Sequence, residues 1–193
     1  MKTNRAWMTR LGIVFFSIGI LLGVLLFALL NWARLEAYFY FGYSGQAQKS
    51  LTTLKCPPIM MTSEQGTVTA TIANTSDRAL EREVRTDISN LGVTRTVIAD
   101  LSFARGETKK LQWVVTSDDV VFGHLILAEV YVTRDYVLPD LQGTCGILVF
   151  DQPGLTGNEI FASALATWLL GTLLGWALWI AGNRPMKGRR EDA

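Results

Sequence analysis

The chain of 193 residues is poor in groups that do chemistry. It holds one histidine, His124, and two cysteines, Cys56 and Cys145. That inventory excludes nearly all multi-ligand His/Cys metal sites. No GxxxxGKS/T, HExxH or GxSxG motif and no glycine-rich dinucleotide loop occurs. A catalytic triad needs a nucleophile and a carboxylate beside its imidazole. Ser117, Asp118 and Asp119 lie close to His124 in sequence, but they read as a turn. Charge of one sign is lacking too. Lys+Arg number 18 against 17 Asp+Glu, a net charge of +1. A nucleic-acid binder usually carries a basic excess, so none is expected as a partner. Charged residues make up 18% and hydrophobic residues 49%, which excludes a disordered chain. The inventory points away from an enzyme, and no cofactor or small-molecule substrate is expected.

What is present is apolar and concentrated. Residues 11–33 (LGIVFFSIGILLGVLLFALLNWA) carry no charge and lie between Arg10 and Arg34. As a helix the run spans roughly 35 Å, enough for a hydrocarbon core of about 30 Å. Residues 160–183 form a second such run, between Glu159 and Arg184. The spacing predicts two transmembrane helices. A cleaved signal peptide is the alternative for the first. Its apolar stretch is longer than a usual signal core, and Asn31-Trp32-Ala33-Arg34 is a poor cleavage site, so an uncleaved signal anchor fits better.

Charge asymmetry sets the expected topology. Lys2, Arg5 and Arg10 precede the first run, and Arg184, Lys187, Arg189 and Arg190 follow the second. Between Arg34 and Glu159 acidic residues outnumber basic ones, 15 to 11. The positive-inside rule then places segments 1–10 and 184–193 in the cytoplasm and the middle outside, in an integral protein of the plasma membrane. Trp32, the run Tyr38-Phe39-Tyr40-Phe41 and Tyr43 read as an outer aromatic belt, and Trp176 and Trp179 as an inner one.

Each span carries a GxxxG: Gly19 and Gly23 in the first, Gly171 and Gly175 in the second. In the second, Ser163 and Thr167 extend the small-residue ladder backwards in steps of four. Small residues let helix backbones approach closely, so these six residues are candidates for helix packing. The partner is left open between the other span, a second copy and another subunit. Neither run holds an ionisable residue, which counts against a pump, transporter or self-contained channel.

Between the spans, residues 34–43 read as an interfacial continuation of the first helix, resting on headgroups or packing under the domain. Residues 44–158 read as one extracytoplasmic domain. Alternation of polar and apolar residues predicts strands at 67–73, 83–88, 94–101, 108–116, 123–134 and 144–150, with a short one at 59–62. Turn clusters such as Asn74-Thr75-Ser76-Asp77 and Arg105-Gly106-Glu107 separate them. About seven short strands without intervening helices predict an antiparallel β-sandwich.

Cys56 and Cys145 both lie outside, where a bridge is permitted. A structural disulfide between the first and last strands is expected; such a bridge would differ from the inter-sheet bridge of antibody domains, and Trp113 need not be their core tryptophan. Free thiols or a redox pair are the alternatives. Leu125, Leu127, Glu129 and Tyr131 share one strand face. If exposed, that face is a contact surface. If covered, Glu129 needs a partner, Arg85 or Arg134. Asp118, Asp119, Asp135 and Asp140 match no EF-hand spacing and read as turn carboxylates rather than a calcium site. Asn74-Thr75-Ser76 fits a glycosylation sequon but also suits a turn. Cys56 lies too far beyond the first apolar run for a lipid anchor.

The stretch TVTATIANTSDRALEREVRTDIS, with the later RGETKKLQWVV, resembles bacterial immunoglobulin-like domains of the CARDB and related kinds. The resemblance spans residues 59–150. It implies a sandwich fold and carries no functional residue. The whole is read as a membrane protein, with two transmembrane helices flanking one all-β extracytoplasmic Ig-like domain. Two functions are expected: a non-catalytic accessory or scaffold subunit of a membrane assembly, or a tethered module that binds a protein, glycan or envelope component. The expected partners are membrane lipid and other subunits or a second copy.

Overall fold

The computed structural model describes residues 2–42, 47–133, 135 and 138–183, with side chains from Ala6 onward. The chain forms two compact units, Met1–Ala28 with Ala162–Ala193, and Leu29–Phe161.

Helix α1 runs Lys2–Tyr40 and helix α2 runs Gly157–Asn183. Both are long and apolar enough to cross a membrane, by length and composition. At 39 residues α1 is about 58 Å long, well beyond a bilayer's need. It stops where Gly42 takes φ +68° and its amide bonds Phe39 O at 3.2 Å. A capping box starts α2. The Glu159 carboxylate accepts from Thr156 N at 2.8 Å, and Glu159 N donates to Thr156 Oγ1 at 3.2 Å.

The second unit holds eight strands: β1 (Lys49–Ser50), β2 (Ile59–Met61), β3 (Gly66–Ala73), β4 (Leu80–Ile88), β5 (Arg95–Phe103), β6 (Thr108–Val115), β7 (Leu125–Val132) and β8 (Leu141–Phe150). Strands β1-β8-β7-β4-β5 form one sheet, with β2 also on β8, while β3 and β6 form a second, two-stranded sheet. Seven strands lie where the alternation predicts them; β1 is additional. One expectation is corrected. The sheet is not wholly antiparallel, because β1 and β2 both pair parallel to β8. These strands are distant from β8 in sequence, so no tight hairpin forces an antiparallel pair.

Alternation places one face of each sheet in a shared core. Ala70 and Ile72 of β3 cluster with Val84 of β4, Phe103 of β5, and Val130 and Val132 of β7. Val68 and Val115 cluster with Ile88, Ile126, Ala128, Ile147 and Val149. Between these clusters sits Trp113, half-buried and touching both.

Cys56 and Cys145 are bridged, with Cα atoms 6.4 Å apart. The connection differs from the expected one. Cys56 is on no strand; it follows Lys55, which exchanges backbone hydrogen bonds with Thr69 of β3 at 2.8 and 2.9 Å. Cys145 lies on β8. The bridge therefore runs from a segment bonded to the second sheet to the last strand of the first, and it packs in the cluster that contains Trp113.

Candidate functional site

Along β7, Ile126, Ala128, Val130 and Val132 turn to the shared core, and Leu125, Leu127, Glu129 and Tyr131 turn the other way. The contact-surface expectation for this second face is overturned. Leu125, Leu127 and Glu129 are buried, with at most 3% exposure. The last turns of α1 cover the leucines. Ala33 and Ala37, four apart and both fully buried, form a seam that clusters with Leu125, Leu127, Leu148, Ile59 and Met61. At the seam's centre a Cβ on Gly146 of β8 would stand 3.1 Å from Ala33 Cα and closer still to its carbonyl. Helix and strand backbones thus touch. A glycine inside a strand pattern signals such close approach, so Gly146 was readable in the sequence. Gly157 is a second case, with Met60 Cα 2.8 Å from its would-be Cβ.

The polar half of the same face is a row of paired groups. In register across the sheet lie Thr144, Glu129, Asp87 and Thr96. Gln142 Nε2 donates to Glu129 Oε1. Arg85, one expected partner of Glu129, instead bonds Asp87 at 2.8 Å. Arg134, the other, lies outside the described residues. Thr96 Oγ1 donates to Asp87 Oδ1 at 2.5 Å. Next along, the Tyr131 hydroxyl donates to Asp140 Oδ2 at 3.2 Å.

Burial, then the bond to Asp140, raises the Tyr131 phenol above its ordinary 10.0. The folded state therefore favours the protonated phenol. Its contribution is full below about pH 10 and fades as pH climbs through the raised value. In an alkaline absorbance titration one phenol should ionise late, and Tyr131→Phe should remove that step. A titration unchanged by Tyr131→Phe would contradict this.

Beside the seam lies an open groove of about 720 Å³. One wall is a face of α1, with Asn31, Arg34, Leu35 and Tyr38 at helical spacing. Gly42 and Ala47, Lys49 and Ser50 of β1, and Gln142 and Thr144 of β8 line the remainder.

In the first unit the two helices meet through glycine. A Cβ on Gly12 would lie 2.6 Å from Trp179 N, and one on Gly19 would lie 2.7 Å from Thr172 N. A Cβ on Gly175 would lie 2.7 Å from Phe16 Cα, and one on Gly171 would be 3.4 Å from Gly19 Cα. Gly23 abuts the Trp168 ring. Of the six packing candidates, the four glycines thus come together within one chain. Ser163 does not, and is exposed; Thr167 is exposed too, its Oγ1 donating back to Ser163 O at 2.8 Å, and it lines only the margin of the pair, beside Gly19 and Gly171. Steps of four overshoot a 3.6-residue turn by about 40° each, so the ladder drifts off the seam. The observed seam follows Trp168, Gly171, Thr172 and Gly175, and it includes Gly12, which the GxxxG pattern does not reach. Gly175→Leu should weaken the helix pair by at least about 1–3 kcal/mol, and Ser163→Leu should not. An SDS titration read by tryptophan fluorescence distinguishes them; equal midpoints would contradict the assignment.

The remaining candidates serve local structure. His124 stacks on Trp32 with ring centroids 5.3 Å apart. Asp119 is not a solvated turn carboxylate. It is buried, paired with Arg95 at 3.0 Å, and accepts from Thr116 N. Asn74, also buried, donates its amide to Arg78 O and Ala104 O. A glycan on that nitrogen would leave it one hydrogen and so remove one of the two bonds. Among the described residues no group of three His, Cys, Asp or Glu gathers.

No protein-family model matches the chain, and no curated protein matches it. Solved structures do match part of it. The CARDB domain of a Pyrococcus furiosus protein, in complex with di-metal ions, shares 15% identity over 51% of this chain and 90% of its own, at a TM-score of 0.41. A Paenibacillus cycloisomaltooligosaccharide glucanotransferase shares 18% over 55% of this chain, at 0.40. A Bacteroides uniformis β-glucuronidase shares 15% over 49%, at 0.34. The matched part spans 15% and 12% of those two enzymes. At these scores the likeness assigns no activity.

Proposed function

We propose that the chain is a two-span membrane protein with both termini cytoplasmic and an Ig-like sandwich outside. It acts as a non-catalytic accessory or scaffold subunit of a membrane assembly. One observation carries this reading: the end of α1 is part of the β-domain's own core. Ala33, Ala37, Leu125, Leu127 and Leu148 form one cluster. A ligand-catching module works on a loose tether. Here the last turns of α1 pack into the sheet through Ala33 and Ala37, so helix and strands form one bracket. Such a bracket suits holding neighbouring subunits at a set height and angle. Because the glycine seam is used within the chain, partner contacts fall to the outer helix surfaces and the exposed strands, not to Gly19, Gly23, Gly171 and Gly175.

Native mass measurement after gentle detergent extraction tests the reading, with identification of what co-purifies. A particle of fixed composition larger than the chain supports it. A lone chain or a simple homo-oligomer would sink it and favour the binding-module alternative.

A further inference from the structure

Resting on the reading of α1 as a membrane span, we propose that the groove between α1, β1 and β8 binds the phosphate headgroup of an anionic phospholipid. Arg34 and Lys49 line it from opposite elements. Neither side chain makes an ion pair or hydrogen bond with another described residue. In contrast, Arg85 and Arg95 are held by carboxylates, and Arg82 by the carbonyls of Thr133 and Pro139. Two cations without acidic partners in one concavity suit an anion. Gln142 and Thr144 add polar groups beside them, and Leu35 and Tyr38 add apolar wall.

Lipid rather than soluble phosphate is the occupant for two reasons. The groove is open and mixed in lining, where a soluble phosphate site would enclose its ligand with convergent donors. Arg34 is also the first charge after the uncharged run 11–33, so the groove begins where the hydrocarbon region ends. Basic residues at that level attract anionic headgroups.

The test uses the full chain in mild detergent. Phosphatidylglycerol or phosphatidylcholine is added, and retained lipid is counted by native mass spectrometry. Wild type should retain phosphatidylglycerol with a preference on the order of tenfold. Arg34→Gln with Lys49→Gln should lose the preference, and Lys110→Gln, an exposed cation on β6, should keep it. Equal retention of the two lipids, or a preference that survives the double variant, would overturn the proposal. So would displacement of phosphatidylglycerol by millimolar inorganic phosphate, which would assign a soluble phosphate instead. Alkaline carbonate extraction separates the two readings. Release from membranes defeats the span reading itself, whereas retention with no lipid preference defeats the groove alone.

Discussion

Replacing Cys56 and Cys145 by alanine is expected to lower the stability of the β-domain by roughly 4–5 kcal/mol. The bridge closes a loop of 89 residues, and the entropy removed from the unfolded chain grows with loop length. Domains commonly retain only about 5–15 kcal/mol in total, so the loss takes a large share. The effect is structural as well as entropic. The strand segment beside Lys55 reaches the second sheet through one isolated pair of backbone bonds to Thr69. Without the bridge, that segment is held to β8 only by its flanks, Leu51 N on Gln142 O and the pairing of β2. Trp113 then loses a neighbour on the side where the two sheets meet. Urea unfolding of the detergent-solubilised chain, oxidised, reduced and doubly substituted, measures this. Coincident reduced and substituted curves, well below the oxidised one, are expected. A difference below about 1 kcal/mol would refute it.

Gly146→Val should be nearly as damaging, at or above about 3 kcal/mol, the upper part of overpacking losses. The new side chain meets the Ala33 backbone, which has no rotamer to yield. Relief requires lifting α1 off β8, and that exposes Leu127 and Leu148. Trypsin offers a local readout, since Arg34 sits beside the seam on a helix that resists cleavage while docked. Cleavage there should accelerate in the variant even where the sheet survives. Ser102→Val, on the exposed face of β5, serves as the control and should stay within about 0.5 kcal/mol. Matching midpoints and cleavage rates for the two variants would show that helix and sheet are not joined at this point.

Much of the architecture was legible because it rests on local periodicity. Two uncharged runs of helical length mark two helices, and alternation marks seven of eight strands within a few residues. Lys49–Ser50 escaped because two residues are too few to show a period. The turn roles of Asn74 and Gly106 were legible too, since short amides and glycine satisfy backbone geometry locally.

The candidate surfaces were legible only in part. Leu125 and Leu127 share a face with Glu129 and Tyr131 by alternation alone, but alternation does not say what lies on that face. In the structure α1 covers the leucines, and the same strand is buried on both sides. The glycines of the spans were identified as close-approach positions, yet which turn of helix faces which depends on crossing geometry. A step-four ladder cannot carry that information, so Ser163 fell outside, Thr167 at the margin and Gly12 inside.

By itself, then, the sequence determined element type, every element but β1, and the separation of apolar spans from an alternating domain. Each of these is a property of neighbours within a few residues. Only the tertiary structure decided that β1 and β2 run parallel to β8, that the disulfide passes between the sheets, and that the end of α1 belongs to the β-domain's core. Those outcomes depend on contacts between residues many tens apart, such as Ala33 with Gly146 and Cys56 with Cys145. Loop-closure entropy and shape complementarity choose among such contacts, and neither is written in a local pattern.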